Sequence, residues 1–110
     1  MNWKTLAKIS LLLLAISFSS LANAGGTWID VRSEAEHRVD SIEGDVRISR
    51  ADIVEGVTEI FPDKDTEIKL YCRSGGRAGK AMSALQEAGY TKVSNAGGIN
   101  QARKQRGISE

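Results

Sequence analysis

A cysteine set between an apolar run and a glycine-rich turn is placed to act as a nucleophile. Ile68-Lys69-Leu70-Tyr71 leads into Cys72-Arg73-Ser74-Gly75-Gly76-Arg77, and a helical pattern follows. Glycines let such a turn curl so that its backbone N–H groups point inward. The helix that follows adds the positive end of its dipole. Arg73 and Arg77 add fixed positive charge. Each of these favours thiolate over thiol, and the thiolate is the reactive form. The spacing from Cys72 to Arg77 is C-x4-R. A six-residue loop can converge on an atom bonded to the cysteine sulfur, whereas a seven-residue loop is wider and suits a tetrahedral phosphate. The spacing therefore favours sulfur chemistry. The bland rival is a buried, inert cysteine acting as a small hydrophobe, and the glycine and arginine context weighs against it.

Other motifs fail on their chemistry. Asp63-x-Asp65-x-Glu67 resembles the start of a calcium loop, but Ile68 stands where a glycine is needed. Gly79-Lys80 resembles a Walker A ending, yet Ser74 replaces the first glycine and Ala81 the final Ser/Thr. No cysteine–histidine cluster has metal-ligand spacing, so neither a metal nor a cofactor is expected. Arg103-Lys104-x-Arg106 reads as a solvated helix face. His37, the only histidine, reads as a surface residue.

The elements that must position Cys72 follow from periodicity and caps. Thr27–Val31 reads as a strand. Ser33-x-x-Glu36 is a capping box that starts a helix to about Val39. Val46–Ile48 is a weak strand. Ser49-x-x-Asp52 is expected to cap a second helix, with Ile53, Val54, Val57 and Ile60 on one apolar face. Pro62–Asp65 is a turn, and 67–71 is the clearest strand. The clearest helix is 77–88, with Met82, Leu85 and Ala88 on one side and Gly89 as its stop. Lys92–Ser94 is a last strand, after which Gly97-Gly98 turns the chain into a short polar helix. Strands alternating with short helices imply an α/β domain with a mainly parallel sheet. Ligands in such folds bind at the carboxyl ends of strands, where Cys72 lies.

The first residues read as an export signal. Lys4 and Lys8 precede the apolar run 9–18, and Ala22-Asn23-Ala24 is a small-x-small cleavage site. The apolar core is shorter than the roughly 20 residues a membrane span needs. Residues 1–24 are therefore expected to be removed, leaving 25–110 as one small exported domain. Fifteen Lys and Arg face 14 Asp and Glu in the whole chain. Without Lys4 and Lys8 the balance turns slightly acidic, which gives no reason to expect nucleic acid or an anionic membrane as a partner. A domain with one cysteine forms no internal disulfide and must hold by packing.

At this point the chain resembles the rhodanese family, the single-domain sulfurtransferases. The matching pieces are Trp28-Ile29-Asp30-Val31-Arg32, the strand into Cys72, the loop 72–77 with its helix, Gly89-Tyr90, and Val93-x-Asn95-Ala96-Gly97-Gly98. They span essentially all of 25–110. Two segments depart from the family pattern. A Gly-His-Ile-x-Gly-Ala segment is replaced by Asp40-Ser41-Ile42-Glu43-Gly44-Asp45. Gln101–Arg106 also lacks the usual aromatic, which is expected to leave that side of the pocket more open and more polar.

The resemblance implies a three-layer α/β/α domain with a central, mainly parallel sheet. It implies a thiosulfate sulfurtransferase in which Cys72 takes the outer sulfur as a persulfide and passes it to cyanide or a thiol. Arg73, Ser74, Gly75, Gly76 and Arg77 would form the loop that binds substrate and stabilises the persulfide, and Asp30 and Arg32 would be a structural pair behind it. The partners would be a small sulfur donor and a thiophilic acceptor, and the protein would be a monomer. Two rivals stay open. One is a stress-response persulfide carrier that hands sulfur to a protein partner with little turnover. The other is a phosphatase or arsenate reductase using the same cysteine, against which the short loop argues.

Overall fold

The structure is a computed structural model that describes residues 26–109. The expected signal peptide, 1–24, lies outside the described residues. Four parallel strands form one sheet: β1 (Thr27–Asp30), β2 (Val46–Arg47), β3 (Ile68–Cys72) and β4 (Val93–Gly98), in the order β2-β1-β3-β4. The helices are α1 (Glu34–Val39), α2 (Ile53–Ile60), α3 (Gly76–Glu87) and α4 (Ile99–Arg106), with a 3-10 turn at Arg50–Asp52.

Strand alternation divides the sheet's side chains between two cores. Ile29, Ile68, Leu70 and Cys72 point to one face, where Ile53 and Val57 of α2 and Ala78, Ala81 and Leu85 of α3 cover them. Trp28 and Tyr71 point to the other, where Ile42 and α4's Ile99 and Ala102 pack. The result is the three-layer arrangement that the sequence implies. The strand order reverses between β1 and β3. Their carboxyl ends therefore open a crevice at a topological switch point, and Asp30 and Cys72 end those two strands.

Several boundaries differ from the sequence reading, each for a local reason. Ser49 makes no capping bond to the backbone. Its hydroxyl bonds to Asp52 Oδ2 at 3.0 Å, and a 3-10 turn precedes α2. Ile60 is 49% exposed, so the buried face of α2 is Ile53 and Val57. In α3 the buried line is Ala78, Ala81 and Leu85, with Met82 and Ala88 at its margin. Small alanines bring this helix close to the sheet. β3 runs one residue further than expected and takes in Cys72 itself. β4 continues through Gly97-Gly98, because Leu70 pairs with Asn95 while Cys72 pairs with Gly98. β4 thus carries one extra residue beside Cys72, a bulge that bends the strand around the loop. Gly97 sits there at φ +93°, a left-handed conformation that favours glycine.

Candidate active site

The loop after β3 curls back on its own cysteine. Gly75, at φ +101°, is the N-cap of α3, and its left-handed backbone reverses the chain between strand and helix. Its N–H donates to Cys72 Sγ at 3.0 Å. The amides of Ala78, Ser74 and Arg77 also favour the charged form of the sulfur. Cys72 is 1% exposed. Burial pushes the thiol up, but these amides outweigh it, and the net shift is downward from the ordinary value. A buried sulfur ringed by inward N–H groups is the reverse of an inert core thiol. Its environment is prepared for negative charge.

The loop is held from two other elements. Asn95 on β4 donates from Nδ2 to the Gly75 carbonyl at 2.9 Å and accepts at Oδ1 from Gly97 N–H at 2.8 Å. Gly98 lies so close that a Cβ there would overlap the Arg73 carbonyl. From α1, Glu36 receives a two-pronged bond from Arg77: Nη1 to Oε1 at 2.6 Å and Nη2 to Oε2 at 3.0 Å. The same carboxylate closes the capping box with Ser33.

Beneath the loop lies a buried ionic network. Arg32 donates from Nη2 to Asp30 Oδ2 at 2.8 Å and from its own backbone N–H to Oδ1 at 2.9 Å. It also reaches the Asp40 carbonyl. His37 Nδ1 lies 2.9 Å from Asp30 Oδ2. His37 is therefore half-buried and tied to Asp30, and the surface reading of it is corrected. Burial pushes the Asp30 carboxyl up, but the bonds from Arg32 and His37 hold it below its usual range.

The two segments that break the family pattern answer each other. Asp40 pairs with Arg103 at 2.6 Å and Asp45 with Arg106 at 2.7 Å, tying the connection before β2 to α4. Tyr71 donates to the same Asp45 at 2.6 Å. A cleft of about 540 Å³ opens beside the loop. Its lining, Arg32, Ala35, Glu36, Val39, Asp40, Arg73, Ile99 and Asn100, presents more apolar than polar surface, which corrects the expectation of a polar pocket there.

Of the sequence-derived site residues, Cys72, Ser74, Gly75 and Arg77 meet at the sulfur through side chain or backbone. Arg73 is exposed on the cleft. Asp30 and Arg32 form a pair behind them. Sequence reasoning missed the Ala78 amide, Asn95 as a clamp, and Glu36 as the partner of Arg77. Glu36 was visible only as a capping residue. Its second bond spans 41 positions, and nothing local signals it. Among the described residues, no cluster of His, Cys, Asp and Glu could hold a metal ion.

A parallel sheet of this order, with a cysteine cradled by amides at the switch point, is an α/β domain with a built anion-receiving loop. The family model described as a rhodanese-like domain matches residues 15–105, and the chain belongs to that sulfurtransferase family. It is 38% identical over 92 residues to the Escherichia coli (strain K12) thiosulfate sulfurtransferase PspE, covering 84% of this chain and 88% of that one. It is 30% identical to thiosulfate sulfurtransferase 18 of Arabidopsis thaliana, with 72% of this chain and 67% of that protein covered. A solved E. coli structure, described as a rhodanese with anions, superposes with a TM-score of 0.65 at 36% identity, covering 68% of this chain and 88% of the other.

Proposed function

We propose that the protein is an exported thiosulfate sulfurtransferase working through a persulfide on Cys72. The convergence of four backbone amides on Cys72 Sγ carries this reading. The thiolate attacks the outer sulfur of thiosulfate. A new S–S bond forms to Cys72, the donor's own S–S bond breaks, and sulfite leaves with the electron pair. Cyanide or a thiolate then attacks the outer sulfur, and Cys72 returns to thiolate. No proton transfer is needed in the first step, since the amides already favour the ionised sulfur.

The same N–H groups would hold the negative terminal sulfur of the persulfide. Preorganised donors of this kind contribute about 3–4 kcal/mol each in other enzymes. Arg73 faces the cleft and would meet the anionic donor. Arg77 is engaged by Glu36 and would shape the loop rather than bind the donor directly. Gly75 and Gly76 give the turn its form, and Ser74 contributes its amide. Asp30 and Arg32 would hold the floor of the site. The reaction asks for no metal or cofactor.

Export rests on the leader pattern of 1–24, and a periplasmic monomer is the form expected after its removal. Among the described residues no helix is long and apolar enough to cross a membrane. Covalent transfer in two steps predicts ping-pong kinetics: initial rates at varied thiosulfate and cyanide should give parallel double-reciprocal lines and vanish in Cys72→Ser. Intersecting lines, or an unchanged rate in that variant, would overturn the mechanism. A stable persulfide with little thiocyanate formed would favour the carrier reading, which the open cleft beside Arg73 accommodates.

A further inference from the structure

Three arginines near the loop are paired with carboxylates. Arg77 is held by Glu36, Arg32 by Asp30, and Arg103 by Asp40. Arg73 has no ion-pair partner among the described residues. Arg77 also lies within electrostatic reach of Cys72, and it stands in the first turn of α3, whose amides face the sulfur. Its guanidinium would act on the thiolate as a full positive charge if Glu36 did not neutralise it.

We infer that Glu36 is a positioning residue that sets the charge of the thiolate loop. By holding Arg77 as a neutral pair, it leaves Arg73 as the unpaired arginine of the loop's two, facing an incoming anion. A carboxylate there has two opposed effects. It anchors the first turn of α3 to α1, which favours the inward amides. It also cancels a positive charge that would otherwise lower the thiol further and bind a dianionic donor more tightly. A site with two unpaired arginines would retain sulfite after transfer, and pairing one of them eases its departure.

The other charged groups around the loop have places of their own. They are Arg73 on the loop, Lys80 exposed one turn on in α3, the Asp30–Arg32 pair with His37 on Asp30 at the end of β1, Arg47 of β2 on the Arg32 carbonyl, Arg103 of α4 on Asp40, and Arg50 and Asp52, which are exposed beside α2. β4 carries none. Glu36 is thus the carboxylate bonded directly to a loop cation.

The test is Glu36→Gln. Glutamine still accepts from Ser33 in a capping box, so the local fold is kept while the charge is lost. The chain has one cysteine, so the pH midpoint of its alkylation by iodoacetamide can be read by intact mass. This readout does not depend on sulfur transfer. The midpoint should fall by at least about 0.5 unit in Glu36→Gln, because an uncompensated cation near a thiolate favours it. Glu36→Asp keeps the charge and should stay near the wild-type midpoint. The double variant Glu36→Gln/Arg77→Gln removes both charges and should return to it.

The kinetic arm rests on the function proposed above: the thiosulfate KM should fall about three-fold or more in Glu36→Gln, with kcat lowered by slower sulfite release. A Glu36→Gln midpoint that stays in place or rises would overturn the inference, and a merely structural tie would give that result while lowering thermal stability. A shifted midpoint supports it even if the wild type transfers no sulfur, which would overturn only the proposed reaction.

Discussion

Cys72 combines two properties that usually exclude each other. It is as buried as the core residues beside it, yet its thiol is shifted toward the ionised form. Aimed backbone dipoles reconcile them, because amides satisfy an anion without bringing in water. The sign of the pH dependence follows. Thiolate persists above the lowered pKa, so reactivity should extend below the pH range of an ordinary thiol and be lost as pH falls through the folded value. Wild-type alkylation rates should have an acid edge below the ordinary thiol value of 9.0, and an edge at or above it would contradict the geometry. Asp30 is a second residue-scale test. It is fully buried beside Arg32, and His37 shares its Oδ2. Asp30→Ala would leave a buried guanidinium without its carboxylate and should cost about 3–5 kcal/mol in urea unfolding. A loss under 1 kcal/mol would mean that the pair behaves as an exposed one.

The loop is shaped by elements distant in sequence. β4 approaches Cys72 through its bulge, and Gly98 leaves no room for a side chain against the Arg73 carbonyl. Backbone is the obstacle, so a flexible neighbour cannot give way. Gly98→Ala should therefore displace the Arg73–Ser74 turn, lower sulfur-transfer kcat/KM at least about ten-fold and destabilise the domain by about 1–3 kcal/mol. Near-wild-type turnover would show that the loop does not depend on this contact. At this scale the sequence was informative where signals are local. The Ser33–Glu36 capping box formed as read, and the strand–cysteine–glycine–helix layout gave the loop. Ser49 failed as a cap because its hydroxyl found the Asp52 carboxylate instead. The bulge, the Asn95 clamp and the Glu36–Arg77 fork were illegible for one reason: each joins segments that only the folded sheet brings together. His37 was misread for the same reason, since its partner Asp30 lies on another element.

The whole domain is small and, among the described residues, has no disulfide. It is held by two cores on opposite faces of one sheet and by ion pairs that stitch α1 and α4 to the loops. Three carboxylates in those pairs, Asp30, Glu36 and Asp40, have pKa values held below their ordinary range. For Asp30, burial opposes the shift and the bonds from Arg32 and His37 win. Arg77 is the main cause at Glu36, and Arg103 at Asp40. A depressed carboxylate stabilises the fold above its unfolded pKa and stops doing so as pH falls through its folded value. The melting temperature should thus decline below about pH 5, as these carboxylates take up protons. A melting temperature that rises on acidification would contradict the ion-pair account.

The measurement that bears most directly on the central claim is the intact mass of the purified protein after exposure to thiosulfate. The account predicts a gain of one sulfur atom on the wild type, lost again on adding cyanide with release of thiocyanate, and no gain on Cys72→Ser. An unchanged wild-type mass under conditions where Cys72 is freely alkylated would contradict it, because the amide cradle would then hold a thiolate that does not accept sulfur.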